Sequence, residues 1–303
     1  MKRAKKNAVS YRMSASAAPV LIVGPGEPFA VEVEDCYSGN VRTPRDVFTK
    51  EMWPTVNPAT GPIFVEGAQS GDILRVEIER IDTRDFAVMC VEEGAGALAP
   101  HIRGVETAIL PIRDRKLSVS ERLSLPIRPM IGVIGLAPKG EPLLNGTPGE
   151  HGGNMDCNDI TAGACVYLPV AVEGGLLSLG DLHALMGDGE VCICGAEVSG
   201  EVVLRAYPLC PSLPTPCVET ATRFLLLASA ATLDECEPLV LAKAHRLLVE
   251  CVGLSPNEAA RIMSLVGDLG VCQVVDPLKT MKFSLPKDVL AALGWEPVVA
   301  KTS

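Results

Sequence analysis

The chain has 303 residues, 48% of them hydrophobic but only 4% aromatic, and a formal net charge of −10. A chain of this length buries a large Val, Leu and Ala core in one to three domains. Its acidity argues against nucleic-acid backbones and anionic membranes as partners. No apolar run reaches the roughly 18 residues of a transmembrane helix, and residues 15–23 lack the long apolar stretch of a secretory leader. The eleven cysteines are odd in number and scattered, which fits reduced, core-filling thiols of a cytoplasmic protein.

Residues 1–12, with Lys2, Arg3, Lys5 and Lys6, read as a disordered, solvated tail. Residues 20–23 and 29–33 read as strands around the turn GPGEP. Asp35 follows as either a turn cap or a ligand. Residues 54–71 (PTVNPATGPIFVEGAQSG) form a rigid Pro- and Gly-rich loop. Beyond it Leu74, Val76 and Ile78 alternate with Arg75, Glu77 and Glu79, the pattern of a half-exposed strand. Residues 86–90, 105–112 and 116–119 add strands, and His101 between them reads as a solvated loop residue. In residues 129–142 glycine alternates with Ile and Val, which predicts close backbone approach to a strand or a ligand. Without a following Lys and helix this is not a phosphate loop. Residues 191–193 and 201–206 read as strands, with Cys192 and Cys194 a structural pair rather than a zinc ribbon.

The texture changes at YPLCPSLPTP (207–216). Residues 217–231 fit neither helical nor strand period. Pro238 opens a helix to Cys251, with Val240, Ala244, Leu247, Leu248 and Cys251 on one face and Lys243, Arg246 and Glu250 toward the other. His245 is placed at its surface and Gly253 at its end. Ser255-Pro256-Asn257-Glu258 is a capping box opening a second helix, with Ala259, Ile262, Leu265 and Val266 inward. Residues 271–275 form a strand ended by Pro277, and residues 287–293 a short last helix. The expected fold is mainly β: a disordered tail (1–12), a β-rich, sandwich- or barrel-like catalytic region (13–210) and a smaller α+β C-terminal part (211–303).

Chemistry concentrates in residues 151–190, HGGNMDCNDITAGACVYLPVAVEGGLLSLGDLHALMGDGE. Asn154 and Asp156, Asp181 and His183, and Asp188 and Glu190 are each spaced by two, so an extended chain presents each pair on one face. Asp, His and Glu together suit a divalent cation. Zinc on such ligands lowers the pKa of bound water toward about 7, with a carboxylate as general base. The same residues also fit hairpin-turn aspartates beside a buried, hydrogen-bonded histidine. A Ser-Ser-Lys amidase would need a Gly/Ser-rich nucleophile region, which is absent. A Glu-Lys-Cys scheme would need Cys157 or Cys165, neither of which carries a recognisable signature.

The run from His151 to Val191, with GPIFVEGAQSGDILRVEI (61–78) and PMIGVIGLAP (129–138), closely resembles the acetamidase/formamidase family over roughly residues 15–290. The resemblance implies a β-rich catalytic region, cytoplasmic hydrolysis of short aliphatic amides to carboxylate and ammonia, and often a bound divalent metal. It carries over to Asn154 and Asp156 in GGNMD, and to Asp181, His183, Asp188 and Glu190 in GDLHALMGDGE. Met186 departs from the glutamine common at that place, which points to a different amide or weaker activity. On this reading Asp156, Asp181 and His183 are the metal ligands, for zinc or alternatively calcium. Glu190 is the base, with Asp188 or Glu197 as substitutes, and Asn154 donates to the substrate carbonyl. The expected partners are a small amide and further copies of the chain in a homodimer or higher homo-oligomer. The rival expectation is a non-catalytic small-molecule binding protein on the same scaffold.

Overall fold

The computed structural model describes residues 1–297. Two large sheets dominate it. One has nine strands in the spatial order Lys2–Ala4, Phe29–Val33, Gly200–Leu209, Ile73–Thr83, Cys165–Pro169, Cys217–Glu219, Arg223–Ala230, Lys279–Pro286 and Asp268–Gln273. The other has eleven, with Leu177–His183 central between Met130–Gly135, Glu197–Val198 and Ala59–Val65. The main core cluster draws on both sheets: Val31, Leu74, Val76, Val166 and Leu204 from the first, Ile63, Ile131, Leu179 and Leu182 from the second. The molecule is therefore mainly β, with apolar faces packed together as in a sandwich.

The strand Arg223–Ala230 explains why its segment shows no clean period. Leu225 and Leu227 enter the main core, while Phe224, Leu226 and Ala228 face a second cluster beneath the helices. A strand apolar on both faces loses the alternation that marks a half-exposed one. The neighbouring strand Lys279–Pro286, unassigned from sequence, does alternate, burying Met281, Phe283 and Leu285.

Three helices cover that second cluster. Helix α1 (Leu233–Arg246) starts five residues before Pro238, because Thr232 and Glu235 form a reciprocal capping box and a proline in the early turns is tolerated at a cost. Its expected inner face holds: Val240, Ala244, Leu247 and Leu248 are fully buried. Lys243 does not point to solvent; its Nζ donates to Thr215 O (2.8 Å) and Leu227 O (3.0 Å). Helix α2 (Pro256–Val266) has the expected Ser255/Glu258 box. Leu265, expected inward, is 80% exposed. The stripe that packs is Ala259, Ile262, Met263 and Val266, spaced i, i+3, i+4, i+7, and Leu265 lies off it. Helix α3 (Lys287–Ala292) matches the short last helix.

Two further expectations are corrected. The N-terminal residues are not a disordered tail: Lys2–Ala4 pairs in parallel with Phe29–Val31. Lys2 and Lys5 bond Glu27 and Glu32 at 2.9 Å, and Lys6 pairs with Glu34. The acidic flank of the neighbouring strand offsets the basic run. Residues 191–193 form a turn rather than a strand, with Ile193 at φ 91°. The nine-stranded sheet also runs across the texture change near residue 210, since Cys165–Pro169 pairs with Cys217–Glu219. All eleven cysteines are free, and among the described residues no helix is long and apolar enough to cross a membrane.

Candidate active site

The site is built around the end of the strand Leu177–His183. Leu177, Leu179 and Leu182 all lie in the main core, a spacing that strict two-residue alternation forbids. The left-handed backbone of Asp181 (φ 56°) absorbs the change of parity. Leu182 then points inward, while Asp181 and His183 share the opposite face. Opposite His183 in the antiparallel pair stands Glu197, so the two side chains meet as cross-strand neighbours.

Asp156 follows the strand Gly152–Asn154, and Glu190 sits in the turn after Gly189. Like Asp181, both have positive φ, 41° and 48°. Left-handed non-glycine residues cost about 1–3 kcal/mol each and collect where a site needs an unusual side-chain direction. The glycine run in Met130–Gly135 contributes by omission. A Cβ on Gly132 would stand 2.3 Å from Asp156 Oδ1 and 2.9 Å from Asp181 Oδ2, and one on Gly195 would stand 2.5 Å from His183 Nδ1. The close approach expected at residues 129–142 is thus made, at Gly132, to the site's own carboxylates.

His183 Nε2 lies 3.2 Å from Glu197 Oε1, 3.4 Å from Asp181 Oδ1, and 3.8 Å from both Asp156 Oδ1 and Glu190 Oε1. All five residues are at most 6% exposed. Burial, then the neighbouring carboxylates, push the Asp156, Glu190 and Glu197 carboxyls well above the usual range. Burial also raises Asp276, to about 8. Burial opposes charge on His183, but Asp181 and Asp156 outweigh it and raise its pKa.

The donor chemistry fits a cation. Asp156 Oδ1, Asp181 Oδ1, Glu197 Oε2 and Asn154 Oδ1 are buried acceptors with no hydrogen-bond partner, and unpaired buried acceptors are costly. Two groups of ligand atoms converge, Asp156 with His183 and Glu190, and Cys36 with Asp181 and Glu197, each within a mutual 4.8 Å. Ligands about 2.0–2.2 Å from a shared zinc span a comparable distance. A bound cation would also offset the mutual repulsion of these carboxyls.

Of the residues singled out in sequence, Asn154, Asp156, Asp181, His183 and Glu190 come together. Asp188 does not: its side chain is 49% exposed and pairs with Lys282 at 2.7 Å. Asp35 acts as a turn cap, accepting from Tyr37 N (3.1 Å) and Gly39 N (3.0 Å). His101 is exposed. Sequence reasoning missed Cys36 and Asp276. Asp276 Oδ2 accepts from Asn154 Nδ2 at 2.9 Å. The Asp276-Pro277 pair after a strand was its only local signal. Cys36, in a turn among eleven cysteines, had none. Met186 places its sulfur 3.3 Å from His183 Nδ1.

The carboxylates open onto a cavity of about 550 Å³. Asn154, Asp181, Glu190, Glu197 and Asp276 are among the residues that line it. A buried histidine among carboxylates, three of which line a cavity, is an arrangement that can hold a cation or carry out acid–base chemistry in a mainly β protein. The chain belongs to the Acetamidase/Formamidase family, whose sequence profile matches residues 2–147 and 145–207. It is similar to a formamidase of Methylophilus methylotrophus, with 30% identity over 246 residues, 61% of this chain and 60% of that protein. It is also similar to an acetamidase of Mycolicibacterium smegmatis, with 29% identity over 270 residues, 67% of this chain and 66% of that protein. It thus spans about 60–66% of the length of these relatives. The crystal structure of an acetamidase from Bacillus halodurans superposes with a TM-score of 0.95 at 42% identity, covering 97% of this chain and 100% of that one.

Proposed function

We propose that the protein is a cytoplasmic amidohydrolase that cleaves the C–N bond of an amide to a carboxylate and ammonia. The observation that carries this reading is the convergence of His183 with four buried carboxylates, three of which, Asp181, Glu190 and Glu197, line a cavity. The family's named relatives, a formamidase and acetamidases, agree with it.

Asp156, His183 and Glu190 would hold a divalent cation, for which the mixed nitrogen and oxygen set favours zinc. Such an ion, when bound, supplies Lewis-acid polarisation of the carbonyl and a more acidic water. This reading moves Glu190 from base to ligand and assigns the base to Glu197. Glu197 lines the cavity, has one oxygen without a partner and is held by Gly195 N at 3.0 Å. It takes the proton of the attacking water as the new C–O bond forms. That proton returns to the departing nitrogen as the C–N bond breaks. Asp181, whose Oδ1 lies 3.4 Å from His183 Nε2, fixes the imidazole by charge. Asn154, held by Asp276, keeps a second amide N–H to donate to the substrate oxygen.

The test measures ammonia release and bound metal in two variants. Glu197→Gln should lower kcat by about 10²-fold or more with metal content kept. Glu190→Gln should lose metal and activity together. Activity within a few-fold of wild type in Glu197→Gln would remove Glu197 as the base.

A further inference from the structure

The cavity is much larger than formamide or acetamide needs. Three or four heavy atoms occupy about the space of as many waters, roughly 30 Å³ each, whereas the cavity holds about 550 Å³. That volume lies in the range of about 300–1,000 Å³ typical of sites for drug-sized ligands.

Part of the cavity's lining is aromatic. The chain has few aromatic residues, four Tyr, six Phe and two Trp, yet Tyr11, Tyr37, Phe48 and Trp53 all line this one cavity. Phe48 meets Tyr37 with ring centroids 5.6 Å apart and Trp53 edge-on at 5.1 Å and 87°. These are the tilted and edge-to-face arrangements that aromatic rings prefer. Trp53 lines the cavity and is 45% exposed, an apolar surface left in water. Val275 and Pro277 continue the apolar lining from the segment that carries Asp276. The polar groups that would hold an amide thus share one cavity with a set of aromatic and apolar side chains.

We propose that these side chains form an acyl-group subsite, and that the preferred substrate is a primary amide with an aryl-bearing acyl chain, of the phenylacetamide type. This rests on the amide-hydrolase reading above. The amide group reaches Glu197 and Asn154 while the ring packs against Phe48 and Trp53. A formyl or acetyl group covers none of that lining and leaves it hydrated. The balance of the reaction is unchanged: water adds to the carbonyl carbon, and ammonia leaves with the proton that Glu197 received.

The test has a kinetic arm and a binding arm. Ammonia release is measured for formamide, acetamide, isobutyramide and phenylacetamide in the wild type and in Trp53→Ala, whose exposed position leaves the core intact. Because each added methylene in an apolar pocket is worth about tenfold or more, kcat/KM should be at least about tenfold higher for phenylacetamide than for acetamide. The ratio of the two should fall by about tenfold in Trp53→Ala. Binding is read by tryptophan fluorescence. Saturable quenching by phenylacetamide in the wild type, absent in Trp53→Ala, is expected. Acetamide as the best substrate, with an unchanged ratio in the variant, overturns the subsite and leaves the amidase reading standing. If no amide is cleaved, the amidase reading fails, and quenching still decides the subsite: present, it supports the proposal; absent, it overturns it.

Discussion

At the scale of single residues, Met186 is the position whose departure from the family pattern acquires a physical account. It does not line the cavity; its sulfur contacts the nitrogen of His183 that faces away from the carboxylates. A ligating histidine usually donates its other N–H to a carboxylate or carbonyl, and such partners change metal affinity by about 10–100-fold. A thioether is a weak acceptor. Met186→Gln, similar in length, should therefore tighten zinc binding by about tenfold, read by competition against a chelator. Equal or weaker affinity would show that the sulfur is not the weak point of the site. Asp156, Asp181 and Glu190 make a related point. Their chemistry was legible in the spacing of the sequence, but their left-handed backbones, which aim them at one centre, were not.

At the scale of elements, capping chemistry and period explain most of what forms. Thr232 and Glu235 start α1 through a mutual box. Thr232→Ala should destabilise the protein by about 1 kcal/mol, measured by denaturant unfolding, without changing metal content. A loss of metal in that variant would mean that the helix end is coupled to the site. The strand Leu177–His183 teaches the opposite lesson. Its core leucines, Leu177, Leu179 and Leu182, fall out of step with strict alternation, because one residue at φ 56° shifts which side chains face the core. Patterns of two and 3.6 cannot register such a shift. They also could not show that Leu265 lies beside the packed stripe of α2, or that a strand apolar on both faces separates two clusters.

At the scale of the whole molecule, the site depends on the continuity of the fold. Asp276 follows a strand of the sheet that carries the helices, yet it holds Asn154 of the other sheet at 2.9 Å. The Gly189 to Gln273 bridge ties the Glu190 turn to the same strand. Buried titratable groups make the global stability depend on pH. His151 is 8% exposed, and burial lowers its pKa from 6.5 to about 4. Above pH 6.5 it is neutral in both folded and unfolded chains and has no effect. As pH falls from 6.5 toward 4, the unfolded chain takes up a proton that the folded chain refuses, so stability is lost. The loss is complete below pH 4 and amounts to up to about 3 kcal/mol. His151→Leu removes this titration. Its stability relative to wild type should rise by about that amount between pH 7 and pH 4 in urea unfolding; a parallel pH profile for the two proteins would exclude the effect.

Sequence alone determined what depends on near neighbours. Alternation specified the strand Ile73–Thr83, the Ser255/Glu258 box specified α2, and the Asn-x-Asp, Asp-x-His and Gly-Asp-Gly-Glu spacings pointed to five residues that come together, Asn154, Asp156, Asp181, His183 and Glu190. Tertiary structure decided what depends on distant partners. It folded the Lys2–Lys6 run onto acidic residues of another strand, turned residues 191–193 into the bend between Glu190 and Glu197, and sent Asp188 to Lys282. It also brought Cys36 to Asp181 and Glu197, and Asp276 to Asn154. The physical reason is one of range. Hydrogen-bonded turns and side-chain faces repeat every few residues, whereas the convergence of buried charges is fixed by strand order and by a few left-handed backbones that no local period encodes.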